Sequence, residues 1–189
     1  PMGGLQWGGL LADLVFIPHA DAMLVTVPAG VDPVAIASAS DNIPDAWRTV
    51  GPQLAAEPGS DVLVIGGDGG PNSIGLYAIG LAMSLNAGRV VYADHHPQRL
   101  AIAEHYGAEI LDGPTPRKAG SFMVTVDASG TNEGLQCALE STASDGTCTS
   151  PSVYLKGQEI PMFSMYSRCC TLHTGRAHVR PAIPHVLDL

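Results

Sequence analysis

Basic residues are scarce in this chain. Nine lysines and arginines face eighteen acids, a net charge of −9 at neutral pH. Binding a phosphate backbone requires a clustered basic surface, so the balance argues against nucleic acid as a partner. Long apolar runs are missing too. No stretch approaches the roughly eighteen residues of a membrane span, and no basic-then-apolar leader opens the chain, so no membrane partner is expected and a cytoplasmic protein is the default. Cysteine is limited to Cys137, Cys148, Cys169 and Cys170, with no C-x-x-C spacing. That pattern excludes a four-cysteine metal cluster and a disulfide framework, and the adjacent Cys169-Cys170 pair is poor disulfide geometry. The four read as reduced, small residues. What is present is 189 residues with 46% hydrophobic content, enough for one well-buried domain and a small appendage.

The most informative stretch runs from Asp61 to Asp94, DVLVIGGDGGPNSIGLYAIGLAMSLNAGRVVYAD. It reads as an apolar strand, a glycine-rich turn, an amphipathic helix and a second apolar strand ending in an acid. A dinucleotide needs that order: a turn its pyrophosphate can approach, a helix N-terminus with free N–H groups, and an acceptor for a ribose hydroxyl. A strict G-x-G-x-x-G is absent. Gly67-Asp68-Gly69 supplies two glycines, Asn72 stands where the third is expected, and the next glycine is Gly75. The turn is therefore longer than the standard one by about two residues. Asp94 lies 19 residues beyond Gly75 and 27 beyond Gly67, against an expected separation of roughly 20. A glycine-rich turn without nucleotide stays open on the glycines alone; the terminal acid weighs against it.

Elsewhere, residues 10–27 suggest two short strands broken at Pro18, and VAIASAS after Asp32-Pro33 suggests a helix. A helix is expected from Pro44 to Ala56. Strands at 62–66, 90–94, 110–111, 122–127 and 146–150 then alternate with helices at 73–87, 97–106 and 131–141. A last apolar run from Cys169 to His173 precedes a helix starting near Pro181. Near-continuous apolar strands joined by helices predict a doubly wound parallel α/β sheet, Rossmann-type, preceded by about 45 residues that belong elsewhere.

Four segments in order, LADLVFIPHADAMLVTVPAGVDPVAIA, VLVIGG…SIGLYAIGLA, VTVDASGTNEGLQCALESTASDGTCTS and CTLHTGRAHVRPAIPHVL, resemble the zinc-type medium-chain alcohol dehydrogenases and reductases. The resemblance implies two parts: a short β-rich C-terminal remnant of the GroES-like catalytic domain (residues 1–45), and a dinucleotide-binding Rossmann domain (46–189) truncated at its C-terminal end. It implies NAD(P)-dependent hydride transfer between a small alcohol and its aldehyde or ketone, with zinc as Lewis acid in the full-length protein. The family's first two zinc ligands have no counterpart here, so the chain is read as a fragment and is not expected to be a competent catalyst.

By the same resemblance, Asp41 falls at the family's third zinc-ligand position; read without it, Asp41 is a helix cap. Gly67, Gly69, Gly70, Ser73, Ile74 and Gly75 would bind the cofactor at the glycine turn, with Asp94 and Arg99 at the ribose. Ala128 and Ser129 would lie near adenine, and Ser152, Val153, Gly175 and Arg176 near nicotinamide. Arg180 is a further candidate for the pyrophosphate. Asp94 favours NAD over NADP, because a carboxylate repels a 2′-phosphate. The apolar stretch 162–170 is expected to lead into an edge strand, where relatives pair as dimers, so a homodimer or tetramer is anticipated. Two alternatives stay open: a zinc-independent, quinone-oxidoreductase-like NADPH reductase, and a non-catalytic nucleotide-binding module.

Overall fold

The computed structural model describes residues 11–189. Six strands form one parallel sheet: β1 (Val62–Ile65), β2 (Val90–Asp94), β3 (Glu109–Asp112), β4 (Phe122–Asp127), β5 (Thr142–Ser150) and β6 (Thr171–Thr174). Their order is β3-β2-β1-β4-β5-β6. This is the Rossmann-like, doubly wound arrangement expected from the strand and helix alternation. The chain reverses its winding direction between β1 and β4, so the turns leaving those two strands flank one crevice.

The central strands are buried on both faces, which is why they lack a polar alternation. Val62, Val64, Val90 and Tyr92 pack on one side with helices α2 (Asn42–Ala56), α3 (Asn72–Ser84) and α4 (Pro97–His105). Leu63, Ile65, Val91 and Ala93 pack on the other with α5 (Asn132–Ser141) and Met165. Phe122 packs with the Leu63 side and Val124 with the Val62 side, and the β4–β5 register shifts between them.

Local chemistry explains the helix ends. Pro97 opens α4 at a first-turn position where no N–H is needed. The Thr131 hydroxyl caps α5 by accepting from Gly134 N at 3.1 Å. Pro52 sits inside α2 and supplies no N–H to the Arg48 carbonyl, so the neighbouring Gln53 amide donates there instead, at 3.3 Å. Helix α7 (Val179–Leu187) packs back on α2, where His185 stacks on Trp47 with ring centroids 4.9 Å apart.

One expectation fails. Residues 11–36 contain no strand; they hold only the short helix α1 (Ala20–Met23), followed by a 3-10 turn at Ala37–Ser40. The expected β-rich remnant is therefore not β-rich among the described residues, and its residues 1–10 lie outside them. A strand needs a neighbour for its ladder, and no described strand pairs with this stretch, which leaves Leu11, Leu14 and Phe16 exposed. The apolar stretch 162–170 does lead into an edge strand, as expected. Met162–Arg168 forms a helix, α6, with Met165 turned inward. It ends at Cys169, whose φ of 55° is left-handed, and the edge strand begins only at Thr171. Arg168 fastens α6 by donating to the carbonyls of Leu139, Glu140 and Thr142 at the end of α5. No described helix is long and apolar enough to cross a membrane.

Candidate functional site

The glycine turn leaves β1 at Gly66, whose N–H donates to Ala93 O at 2.8 Å. A Cβ at Gly66 would lie 2.3 Å from the Tyr92 hydroxyl and 2.4 Å from Asp94 Oδ2, so only glycine lets that pair sit beneath the turn. The turn then presses against the segment following β4. A Cβ at Gly70 would lie 2.0 Å from Ala128 O, and one at Gly67 3.0 Å from Ser129 O. The structure thus brings Gly67, Gly69, Gly70 and Gly75 together with Ala128 and Ser129. The reason for glycine includes close backbone approach within the protein itself.

Ser73, Ile74 and Gly75 form the first turn of α3, and Ser73 Oγ accepts from Asn42 Nδ2 at 3.1 Å. The N–H groups of Gly67, Gly69, Gly70 and Ser73 find no backbone acceptor among the described residues. Two buried acceptors, Asn72 Oδ1 at this helix start and His96 Nδ1 just after β2, also lack partners. A row of unpaired donors at a helix N-terminus, flanked by orphaned polar atoms, fits a pyrophosphate and its ribose hydroxyls.

Asp94 ends β2 with its side chain fully buried. Its Oδ1 accepts from His95 N (2.7 Å), His96 N (3.1 Å) and Arg99 Nη2 (2.8 Å), and its Oδ2 from Tyr92 Oη (2.6 Å) and Arg99 Nε (2.6 Å). Burial alone would raise this carboxyl; Arg99, the Tyr92 hydroxyl and the two backbone N–H groups overcome it and hold Asp94 well below the usual carboxylate range. Burial, then the neighbouring Asp94, pushes the Tyr92 phenol up. Asp68, in the turn, bridges to Arg99 Nη2 and His95 Nε2, each at 3.0 Å.

Beyond the turn, Asp127 is fully buried at the end of β4. It accepts from Ser129 Oγ (2.6 Å), Ser150 Oγ (2.7 Å) and Tyr154 Oη (2.7 Å). Ser152 Oγ donates to Asp127 O and accepts from Gly130 N, both at 3.1 Å. This network, invisible in the spacing, shapes the 128–130 segment that meets the glycine turn. The remaining predicted residues line a separate cleft of about 370 Å³, where Ser152, Val153, Gly175 and Arg176 meet Asp41 and Asp45. Arg48, paired with Asp45, donates to Gly175 O at 2.8 Å and so ties the end of β6 to α2. Arg180 lies exposed in α7 and does not line this cleft.

Zinc does not fit these residues. Asp41 takes the N-cap position of α2, makes no capping hydrogen bond with its side chain, and is exposed. No group of three His, Cys, Asp or Glu side chains among the described residues could hold a metal, whereas a catalytic zinc takes three protein ligands.

The fold and the turn thus define a Rossmann-like α/β domain with a crevice at its switch point. No family model matches the chain. It is 28% identical over 190 residues to a probable zinc-binding alcohol dehydrogenase of Mycobacterium tuberculosis, covering 96% of this chain and 48% of that protein. An alcohol dehydrogenase from Thermus sp. ATN1 superposes with a TM-score of 0.81 at 27% identity, covering 96% of this chain and 55% of that one. A zinc-binding dehydrogenase from Sinorhizobium meliloti, whose structure is bound to NADP, gives 0.67 at 21% identity, covering 86% and 51%. These neighbours point to the zinc-binding medium-chain alcohol dehydrogenases, an oxidoreductase family, as the sequence resemblance did. The chain spans about half the length of the relatives named here.

Two outcomes follow from this geometry. Gly70→Ala drives a Cβ into the Ala128 carbonyl and is expected to lower stability by roughly 1–3 kcal/mol in urea unfolding. Gly157→Ala, with nothing within 4 Å, is expected to be near neutral. Because Asp94 is depressed in the folded state, its stabilisation is complete above the ordinary Asp range near pH 4 and is lost as pH falls through the folded value. Unfolding free energies measured from pH 5 down to pH 2 should fall less steeply in Asp94→Asn than in the wild type.

Proposed function

We propose that residues 46–189 form the nicotinamide-dinucleotide-binding part of a zinc alcohol dehydrogenase-type oxidoreductase, with residues 1–45 the end of its GroES-like catalytic domain. The observation that supports this best is the set of unpaired N–H groups from Gly67 to Ser73, set at the point where the winding of the sheet reverses. The pyrophosphate takes those donors, Ala128 and Ser129 flank the adenine side, and Ser152, Val153, Gly175 and Arg176 hold the nicotinamide side. When bound, the dinucleotide supplies the hydride donor or acceptor. The chain's own residues bind and orient it beside a small alcohol, aldehyde or ketone. No step is assigned to a metal.

NAD is the proposed cofactor. Asp94 at the end of β2 and Asp68 in the glycine turn set two carboxylates against the single guanidinium of Arg99. Fluorescence titration of the recombinant chain is expected to show NADH binding more tightly than NADPH; equal affinities would remove the preference. The exposed edge strand β6 supports a homodimer formed by edge pairing. Sedimentation velocity should then show a dimer at micromolar concentration, and a clean monomer there rejects it.

A further inference from the structure

Asp68 stands between the first two glycines of the turn, and its position gives it a role that the strand, turn and helix pattern does not assign. Its side chain is 68% exposed, while that of Asp94 has no exposure at all. The two acids share Arg99 and His95 as partners. Arg99 gives Nε to Asp94 alone and divides Nη2 between Asp94 and Asp68, while His95 Nε2 pairs with the second oxygen of Asp68.

A carboxylate offers about four lone-pair directions. Asp94 already takes five hydrogen bonds, counting the two from Arg99, and is closed over by Gly66. It has no acceptor capacity left for a ribose hydroxyl. Asp68 is the acid with solvent-facing oxygen at this end of the crevice. We propose that Asp68, rather than Asp94, is the residue that discriminates NAD from NADP; this rests on the dinucleotide-binding reading above.

The charges support the assignment. With His95 neutral, Asp68, Asp94 and Arg99 together carry one net negative charge. An incoming 2′-phosphate meets the Asp68 carboxylate first, and it finds Arg99 Nη2 and His95 Nε2 already engaged. A 2′-hydroxyl needs an acceptor, which Asp68 offers. Removing the Asp68 charge leaves a neutral Arg99–Asp94 pair whose geometry is held by Tyr92 and two backbone N–H groups. The donors that served Asp68, Arg99 Nη2 and His95 Nε2, then become available to phosphate. Because Asp68 is exposed, replacing it leaves the core intact.

The test compares wild type, Asp68→Asn, Asp68→Asn/His95→Gln and Asp94→Asn, each checked by thermal melting. NADH and NADPH are titrated by fluorescence. Calorimetry with 5′-AMP and 2′,5′-ADP isolates the ribose end. Asp68→Asn is expected to tighten NADPH and 2′,5′-ADP by roughly tenfold or more, and to weaken NADH by a few-fold at most. Adding His95→Gln should reduce that gain, and Asp94→Asn should lack it. An unchanged NADPH-to-NADH ratio in Asp68→Asn, with NADH still bound by the wild type, overturns this assignment alone. So does a shift of that ratio in folded Asp94→Asn only. Binding of neither dinucleotide by the wild type overturns the dinucleotide reading itself, and this assignment with it.

Discussion

The contact between two backbone segments, the glycine turn after β1 and residues 128–130 after β4, is the constraint on which the rest of the crevice depends. A Cβ at Gly70 would meet Ala128 O at 2.0 Å, and one at Gly130 would meet Gly69 O at 2.1 Å. Packing this close is open only to residues without side chains. The contact brings the ends of the two central strands together and holds in place the turn whose N–H groups have no backbone acceptor among the described residues. The buried Asp127 network serves the same end from the other side. Through Ser129, Ser150, Ser152 and Tyr154 it ties the ends of β4 and β5 into one rim. A buried carboxylate is tolerable only when its lone pairs are filled, and here hydroxyl groups fill them.

The parallel sheet was legible because each central strand is an apolar run bounded by glycine, proline or an acid, and each helix has its own start signal. β2 and β4 match their expected bounds, and α2, α4 and α5 lie within two residues of theirs. What was not legible depended on partners distant in sequence. The run from Leu11 to Val27 has strand-like residues, but no described strand forms a ladder with it. MFSMYSR reads in sequence only as an apolar lead into the edge strand; its start after Pro161, its inward Met165 and the clamp of Arg168 on α5 make it a helix. Hydrophobicity marks such segments for burial or pairing; the neighbours decide which.

The candidate site shows the same division at the scale of single atoms. Spacing located Asp94 at the end of β2 and placed Arg99 beside it, and both are there. It said nothing of Tyr92, two residues earlier on the same face, whose hydroxyl takes one oxygen of Asp94. Period-two alternation put both side chains on one side of the strand, so the pair was readable in hindsight. The reach of Asp68 across to Arg99 was not, because the turn's course is set by its packing against β4.

Burial and exposure therefore split one expected task between two acids. Asp94 holds β2, α4 and the glycine turn in place, and an interior charge can do this because five donors surround it. A group so fully paired gives stiffness to the site at the cost of its freedom to respond to a ligand. Asp68, in water and bonded through one oxygen each to Arg99 and His95, keeps that freedom. Selectivity between a hydroxyl and a phosphate requires a group whose bonds can be exchanged for the ligand's. The place of Asp68 between Gly67 and Gly69, in a turn pressed against the segment after β4, brings such a group within reach of Arg99 and His95.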